Sequence, residues 1–371
     1  MEVYEIIKKN GLLDKLLFIM GRVFFSLFRN IIIKNETKNL LIVSLHNLGD
    51  TVFTIPAIKK IIEHYDGYKS FIACYHDSKI IYDLKIDPYK YIEVDRNDIK
   101  FGGRICSKKV QQEIIKIKPE IVVDITGTVT SASLIFNSRA KKIFGLKSRF
   151  STRFTEGLYD SLTNVRTTPH LINTYIDVVD LIGGNNSEKE EKTIQNNPCE
   201  TVVIYIHPFA SRKAKEWGLE KFIELTNNLK KKYSVKFIMQ KKSLTPQISN
   251  KIEKSEIDII ETETLEDLIC HLKECSLLIS NDTGPIQIAA LLDKHTFSIY
   301  GPSNPEYSVP IGASHSSINK IIECSPVKDR ICFTQGGIKC THFKCMTELN
   351  VSDVNKKIDQ FIRSISDPSS I

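Results

Sequence analysis

The chain has 371 residues, 42% of them hydrophobic and 26% charged, and its 51 basic and 44 acidic side chains leave a net charge of +7. That length supports two domains with cores of their own, and the composition is that of a soluble globular protein rather than a disordered or fibrous one. The basic excess suits an anionic substrate or a membrane surface but is too dilute for nucleic acid, and no nucleic-acid recognition motif accompanies it.

The first expected element is a helix within residues 11–33, where "LLDKLLFIMGRVFFSLFRNIII" is apolar almost throughout. Lys15, Arg22 and Arg29 recur every seven residues, with Ser26 close to the same line, which draws one narrow polar stripe along a helix. A charge at mid-bilayer costs about 2.5–3.5 kcal/mol, so the segment is a poor spanning helix. Two readings remain, a helix lying in a membrane interface and a helix packed on the domain or a partner.

From residue 39 short apolar runs alternate with helical stretches. "LLIVSL" (40–45), "SFIACY", "KYIEVD" and "EIVVDIT" read as strands, "AIKKIIEHY" and residues 106–118 and 170–182 as helices. This is the βα alternation of a parallel, doubly wound sheet. The polar stretch "GGNNSEKEEKTIQNNP" (183–198) reads as a linker, after which the alternation restarts: strands "TVVIYIHP", "VKFIMQ", "SLLISN" and "HTFSIYGP", helices "LEKFIELTNNLKKKY" and "LEDLICHLKEC". Nine cysteines without a signal peptide point to a reducing cytoplasm. Cys324, Cys332, Cys340 and Cys345, with His342 among them, lack the close CxxC pairs of a zinc site and are expected to pack an irregular segment.

Three turns carry the chemistry. In "SLHNLGDTVFTIPAIKKI" (44–61), Gly49 permits a tight turn at the end of a strand, and Asp50 is either the N-cap of the next helix or a carboxylate presented to a ligand crevice. In "IHPFASRKAKEWGLEKF" (206–222), His207 and Pro208 end a strand, Arg212, Lys213 and Lys215 precede a helix, and Trp217 can anchor that loop. In "NDTGPIQIAALL" (281–292), Pro285 suits the first helical position, with Thr283 or Gly284 at the cap. An uncapped helix start there, facing basic side chains, would bind a diphosphate from two sides. Asp282 repels phosphate and is expected instead to accept from sugar hydroxyls or to hold Lys215 in position.

These segments, with "SIYGPSNP" and the late cysteine run, resemble in the same order the pattern of glycosyltransferase family 9, the lipopolysaccharide heptosyltransferases and their relatives, from about residue 40 to 360. The resemblance implies an α/β GT-B fold, two Rossmann-like doubly wound domains facing a central cleft. An acceptor domain would span 39–184 and a nucleotide-sugar donor domain 201–350, with the helix of residues 1–38 before them, a linker at 185–200 and a C-terminal helix at 351–371. It implies an inverting enzyme that needs no metal or other cofactor, and moves a sugar from a nucleotide diphosphate (most simply heptose from ADP-heptose) to a lipid-linked saccharide. Its place would be the cytoplasmic face of the inner membrane. By the same resemblance Asp50 is the general base and Lys215 a catalytic contact to the donor phosphates. His207, Asp282, Thr283, Gly284 and Gln287 complete the donor site, Gln287 standing where the family commonly has histidine. Asn47, Gly49 and Arg139 are candidate acceptor contacts, and Lys141, Lys142, Lys147 and Arg149 could meet acceptor phosphates or simply be solvated. "KKSLTPQ" replaces the family's glycine pair and acidic residue beside the ribose. The rival expectations are a nucleotide-sugar epimerase on the same architecture and a non-catalytic nucleotide-sugar-binding protein.

Overall fold

The computed structural model describes residues 11–31, 36–100, 105–148, 151–165, 170–184, 202–326, 331–332 and 337–366. The chain divides into two compact units, Met1–Glu188 and Lys189–Ile371. The expected linker at 185–200 lies outside the described residues.

In the first unit the elements run α1 (Gly11–Ile31), β1 (Asn39–Ser44), α2 (Leu48–His64), β2 (Lys69–Tyr75), α3 (Lys79–Asp83), β3 (Lys90–Val94), α4 (Lys108–Ile117), β4 (Ile121–Asp124), α5 (Val129–Ile135), β5 (Lys142–Gly145), α6 (Arg153–Glu156), β6 (Ser161–Leu162) and α7 (Leu171–Leu181). The sheet order is β3-β2-β1-β4-β5-β6, and every ladder in it is parallel. Leu40, Leu41, Ile42 and Val43 are wholly buried because β1 is central and covered on both faces. That continuous apolar run made it the easiest strand to read.

The second unit repeats the plan: β7 (Val203–His207), α8 (Leu219–Leu229), β8 (Ser234–Gln240), α9 (Pro246–Glu253), β9 (Ile259–Thr262), α10 (Leu265–Leu272), β10 (Leu277–Asn281), α11 (Gly284–Leu291), β11 (His295–Tyr300), α12 (Pro305–Ser308), β12 (His315–Asn319), α13 (Lys344–Thr347) and α14 (Val351–Ser366). Its order, β9-β8-β7-β10-β11-β12, is the same Rossmann order, again all parallel. The C-terminal helix α14 buries Val354, Ile358, Phe361 and Ile362 in the core of this unit. The strands of the two sheets not anticipated from sequence, β5, β6, β9 and β12, have two to five residues each, and a further unanticipated antiparallel pair, Ile99–Lys100 with Ile105–Cys106, stands apart from the sheets.

Helix α1 is docked on the first unit by a narrow face. A side chain at Gly21 would put its Cβ 2.1 Å from the Phe154 carbonyl oxygen, and one at Gly157 would lie 2.4 Å from the Arg22 amide nitrogen. The backbones of α1 and α6 therefore touch, which only glycine allows. Phe25 is buried in the unit's core, its ring 5.3 Å from that of Phe154. Arg22 donates to the Tyr159 carbonyl at 2.5 Å, and Arg153 faces Asp14 at 3.6 Å. The packing reading thus holds for one face. The rest of the helix leaves Leu13, Leu16, Ile19, Met20, Val23 and Leu27 about half exposed. The side chain of Arg29, the third member of the expected stripe, lies outside the described residues.

Replacing Gly21 by valine should force α1 and α6 apart, at a cost of about 1–3 kcal/mol for overpacking. The expected signs are a lower melting temperature and faster tryptic cleavage after Lys15 and Arg22; unchanged values for both would mean that α1 does not dock through this contact.

Candidate functional site

Reversal of strand order leaves a crevice at the carboxyl ends of the first and fourth strands of such a sheet. In the second unit these are β7 and β10, and His207, Pro208, Asn281, Asp282 and Thr283 stand at or just past their ends. Asn281 ties the two ends together, its amide donating to the Pro208 carbonyl at 2.8 Å while its oxygen accepts from the Trp217 amide at 3.0 Å. Trp217 is buried, sits edge-on to Phe222 with centroids 5.1 Å apart, and donates from Nε1 to the Leu349 carbonyl at 2.9 Å. The loop carrying the basic residues is therefore pinned at its Trp217 end. Lys213 and Lys215 fall in one short 3-10 turn, Lys213 pointing to solvent and Lys215 inward.

The ammonium of Lys215 is paired with the Asp282 carboxylate, the two side chains 17% and 10% exposed, and it also donates to the Asp282 carbonyl at 3.3 Å. Of the two roles left open for Asp282, the structure shows the second: it holds Lys215. A lysine has three N–H donors, so two bonds to Asp282 leave one for a ligand. Thr283 is the N-cap of α11, in extended conformation (φ −142°), with Gly284 and Pro285 as the first two helical residues. Thr283 makes no capping bond to the helix; its hydroxyl is 3.1 Å from that of Ser280. The first N–H groups of α11 have no intrahelical acceptor by position, and the N-cap Thr283 does not supply one.

His207 lies at the end of β7, with Ser280 Oγ donating to its carbonyl at 2.8 Å and 3.4 Å from its Nδ1. Desolvation pushes its imidazole down to about 4, so it is neutral at physiological pH. Gln287 is buried and its amide donates to the Ser308 carbonyl at 2.6 Å, fastening α12 to α11. Its donor group is thus already engaged within the fold. Ser308 and Tyr300, whose hydroxyls are 3.3 Å apart, complete this buried layer beneath Asp282 and were not singled out from sequence.

In the first unit the corresponding ends are those of β1 and β4. Here the sequence reading needs correction. Asn47, not Asp50, is the N-cap of α2, and the helix begins at Leu48, so that Gly49 and Asp50 occupy its first turn. Gly49 is not among the glycines with positive φ; Asn47, at ψ 158°, turns the chain before it. Asp50 is half-buried in that first turn. The turn stands on a rigid floor: Tyr82 is wholly buried, its hydroxyl 2.6 Å from Ser44 Oγ and 3.1 Å from Thr54 Oγ1, and Ser78 Oγ donates to the His46 carbonyl at 3.1 Å.

Asp124, read from sequence only as part of a strand, organises the facing turn. It is wholly buried and accepts from the Tyr159 hydroxyl at 2.7 Å and from the amides of Thr126 and Gly127 at 2.9 and 3.2 Å. Burial raises its pKa against the pull of these donors. Gly127 has φ +65°, and a Cβ on it would lie 2.1 Å from the Leu146 carbonyl oxygen. Thr126 Oγ1 accepts from the Leu45 amide at 2.8 Å, which joins the ends of β1 and β4.

Arg139 is not brought to this edge. It is exposed, at φ +58°, in the turn between α5 and β5, and so precedes the strand; Lys141 and Lys142 share that side, where the Lys141 amide donates to the Glu120 carbonyl. Lys147 follows β5 and stands at the carboxyl edge, its ammonium 3.5 Å from Glu156. Arg149 lies outside the described residues. The late cysteines do converge: Cys324, Cys332, Cys340 and Cys345 line one small cavity with His342. Burial and the neighbouring thiols push Cys345 up to about 11. Among the described residues no group of three or more His, Cys, Asp or Glu side chains is arranged to hold a metal ion.

The family profile described as glycosyltransferase family 9 (heptosyltransferase) matches residues 108–336. A lipooligosaccharide heptosyltransferase 2 of Campylobacter jejuni is 22% identical over 349 residues, 85% of this chain and 96% of that protein. A lipopolysaccharide heptosyltransferase 1 of Campylobacter coli is 24% identical over 246 residues, 59% of this chain and 70% of that one. Among solved structures, a family 9 glycosyltransferase of Veillonella parvula superposes with a TM-score of 0.73 at 17% identity, covering 90% of this chain and 99% of its own. The E. coli heptosyltransferase WaaC, solved with ADP, gives 0.64 at 16%, covering 88% and 99%. At these identities the superpositions establish the GT-B architecture.

Two outcomes follow from the geometry of the second unit. Lys215→Ala should weaken ADP binding by about 1.5–3 kcal/mol, the range for a charge-assisted bond, and adenosine binding much less. Lys213→Ala should do little; equal losses at both positions, measured by calorimetry, would mean a diffuse basic loop instead of a placed cation.

The second outcome concerns pH. His207 and His315 are both pushed down to about 4 by burial, against an unfolded value of 6.5. The unfolded chain therefore takes up protons first as pH falls below 6.5, so the stability from keeping these rings neutral is full above that value and is lost toward pH 4. A double His207→Asn, His315→Asn variant should show a shallower fall of melting temperature between pH 6.5 and 4.5 than the wild type. An equal slope would assign the acid sensitivity to other groups.

Proposed function

The chain belongs to glycosyltransferase family 9 and is a glycosyltransferase, and from that premise we propose that it moves heptose from ADP-heptose to the saccharide core of a lipopolysaccharide or lipooligosaccharide. The observation that carries the donor reading is the Lys215–Asp282 pair beside the uncapped start of α11, at the strand reversal of the second unit. A cation with one donor to spare and a helix start bearing unpaired N–H groups are what a leaving nucleotide diphosphate needs. They supply fixed positive charge where charge develops as the bond from the sugar's anomeric carbon to the diphosphate oxygen breaks. In this reading no divalent metal is required for that step. Thr283 and Gly284 let the diphosphate approach the helix start, and neutral His207 lines the same strand end as a hydrogen-bonding group.

On the acceptor side Asp50 takes the proton of the attacking hydroxyl as its oxygen bonds to the anomeric carbon from the face opposite the diphosphate, which inverts that centre. Asn47 and Gly49, in the same turn, contact the acceptor. Asp50 suits this role by its place: it is half-buried at the carboxyl edge of β1, over a floor fixed by Tyr82 with Ser44 and Thr54. The enzyme works on the cytoplasmic face of the inner membrane, held there by the half-exposed apolar side chains of α1. Among the described residues no helix is long and apolar enough to cross a membrane.

Asp50→Asn tests the base. The loss of one negative charge in the first helical turn costs about 0.3–1 kcal/mol, so folding should be nearly unchanged. Turnover with ADP-heptose and core-truncated lipopolysaccharide should drop by about 10²–10⁴-fold. ADP affinity should stay at the wild-type value, because Asp50 is in the other unit. Normal turnover in this variant would require another base.

A further inference from the structure

Helix α1 does more than leave an apolar face exposed: with the sheet edge it encloses a groove of about 870 Å³. One wall is α1, through Lys15, Phe18, Ile19 and Arg22; the other runs along the edge strand β6, from Tyr159 before it to Thr163 at its carboxyl end, with Lys147 past the end of β5. Three features of this groove restrict what can fill it. Phe18 and Ile19 also belong to the exposed apolar surface of α1, so one rim of the groove is continuous with that surface. Four basic side chains line it against three acidic ones among the described residues. Of those acids, Asp14 and Glu156 are already engaged by Arg153. Lys15 and Arg22 are both exposed and stand two helical turns apart, about 10 Å, along the wall. Finally, β5 and β6 are two and three strands from β1. At about 4.8 Å per strand the groove floor lies about 10–15 Å along the sheet edge from the turn bearing Asp50, a span that a short oligosaccharide covers.

We propose that this groove seats the anionic, lipid-proximal part of the acceptor glycolipid, so that α1 forms one wall of the acceptor site as well as resting on the bilayer. The inference rests on the reading of the protein as a transferase acting on a membrane-held acceptor. Its occupant is apolar at the rim of Phe18 and Ile19, bears phosphate or carboxylate groups opposite Lys15 and Arg22, and extends its saccharide toward Asp50. A bulk anionic phospholipid would answer the charge but has no saccharide to reach along the strand ends.

The test compares two charge reversals in the full chain, Lys15→Glu in the groove and Lys109→Glu on the exposed side of α4. Binding is measured without donor, on nanodiscs of phosphatidylcholine with phosphatidylglycerol and on the same discs carrying core-truncated lipopolysaccharide. Lys15→Glu should weaken binding to the glycolipid discs by about fivefold or more relative to Lys109→Glu, a difference near 1 kcal/mol, while the two variants bind the phospholipid discs alike. Equal affinities of the two variants for the glycolipid discs would overturn the proposal. So would an equal loss by Lys15→Glu on both kinds of disc, which would make α1 a reader of bulk anionic lipid. Because no donor is present, failure of the wild type to transfer heptose would count against the proposed function and leave this comparison intact.

Discussion

The reversal of strand order between the first and fourth strands is the constraint on which both halves of this molecule depend. A parallel sheet ends in backbone groups that its own ladder cannot satisfy, and where successive crossovers depart to opposite sides nothing in the chain covers those ends. In the second unit Asn281 meets part of that need by bonding Pro208 and Trp217; in the first, Thr126 does so by bonding Leu45. Everything assigned to chemistry sits within a few residues of these two ties.

What differs between the two crevices is the charge each holds. The second presents a cation, Lys215, restrained by a carboxylate that is itself almost buried. Leaving that carboxylate unpaired would be costly, so the pair is held in place whether or not a ligand is present. The first presents a carboxylate, Asp50, above buried hydroxyls. Fixed positive charge favours an anionic group at the one, and fixed negative charge disfavours it at the other. The proposed division of donor and acceptor between the units rests on that difference in sign.

The N-terminal helix joins the first unit through contacts that only small residues permit. Gly21 and Gly157 bring two helix backbones together, and Phe25 enters the core beside Phe154. The same docking leaves the opposite side of the helix uncovered and closes one wall of the groove by the sheet edge. Packing and exposure, which had looked like alternatives, are two faces of one helix.

Much of the fold was legible in the residues themselves, because periodicity and burial report the same thing for long central strands. The run Leu40–Val43, the stretch 277–281 and the turn 281–292 could hardly be other than buried strands and a helix start, since each local preference agrees with its surroundings. The pairing of Lys215 with Asp282 was one of two roles the sequence left open for Asp282, and the structure shows it. The edges were not legible. β5 is four residues long and begins with Lys142 directly after Lys141, too short for its alternation to stand out. Without it, Arg139 and Lys147 looked like members of one basic cluster, although the strand between them sends them to opposite edges of the sheet. The place of Asp50 in the first turn, rather than at the cap, depended on the backbone angles of Asn47. The partners of Asp124, Gln287 and Asp14 lie 35, 21 and 139 residues away in sequence. Local sequence thus determined the long central strands, the amphipathic helices between them and the residue types of the turns that follow. Only tertiary structure decided which side chains meet, because contact across a sheet edge or between two helices is set by distances that no local periodicity records.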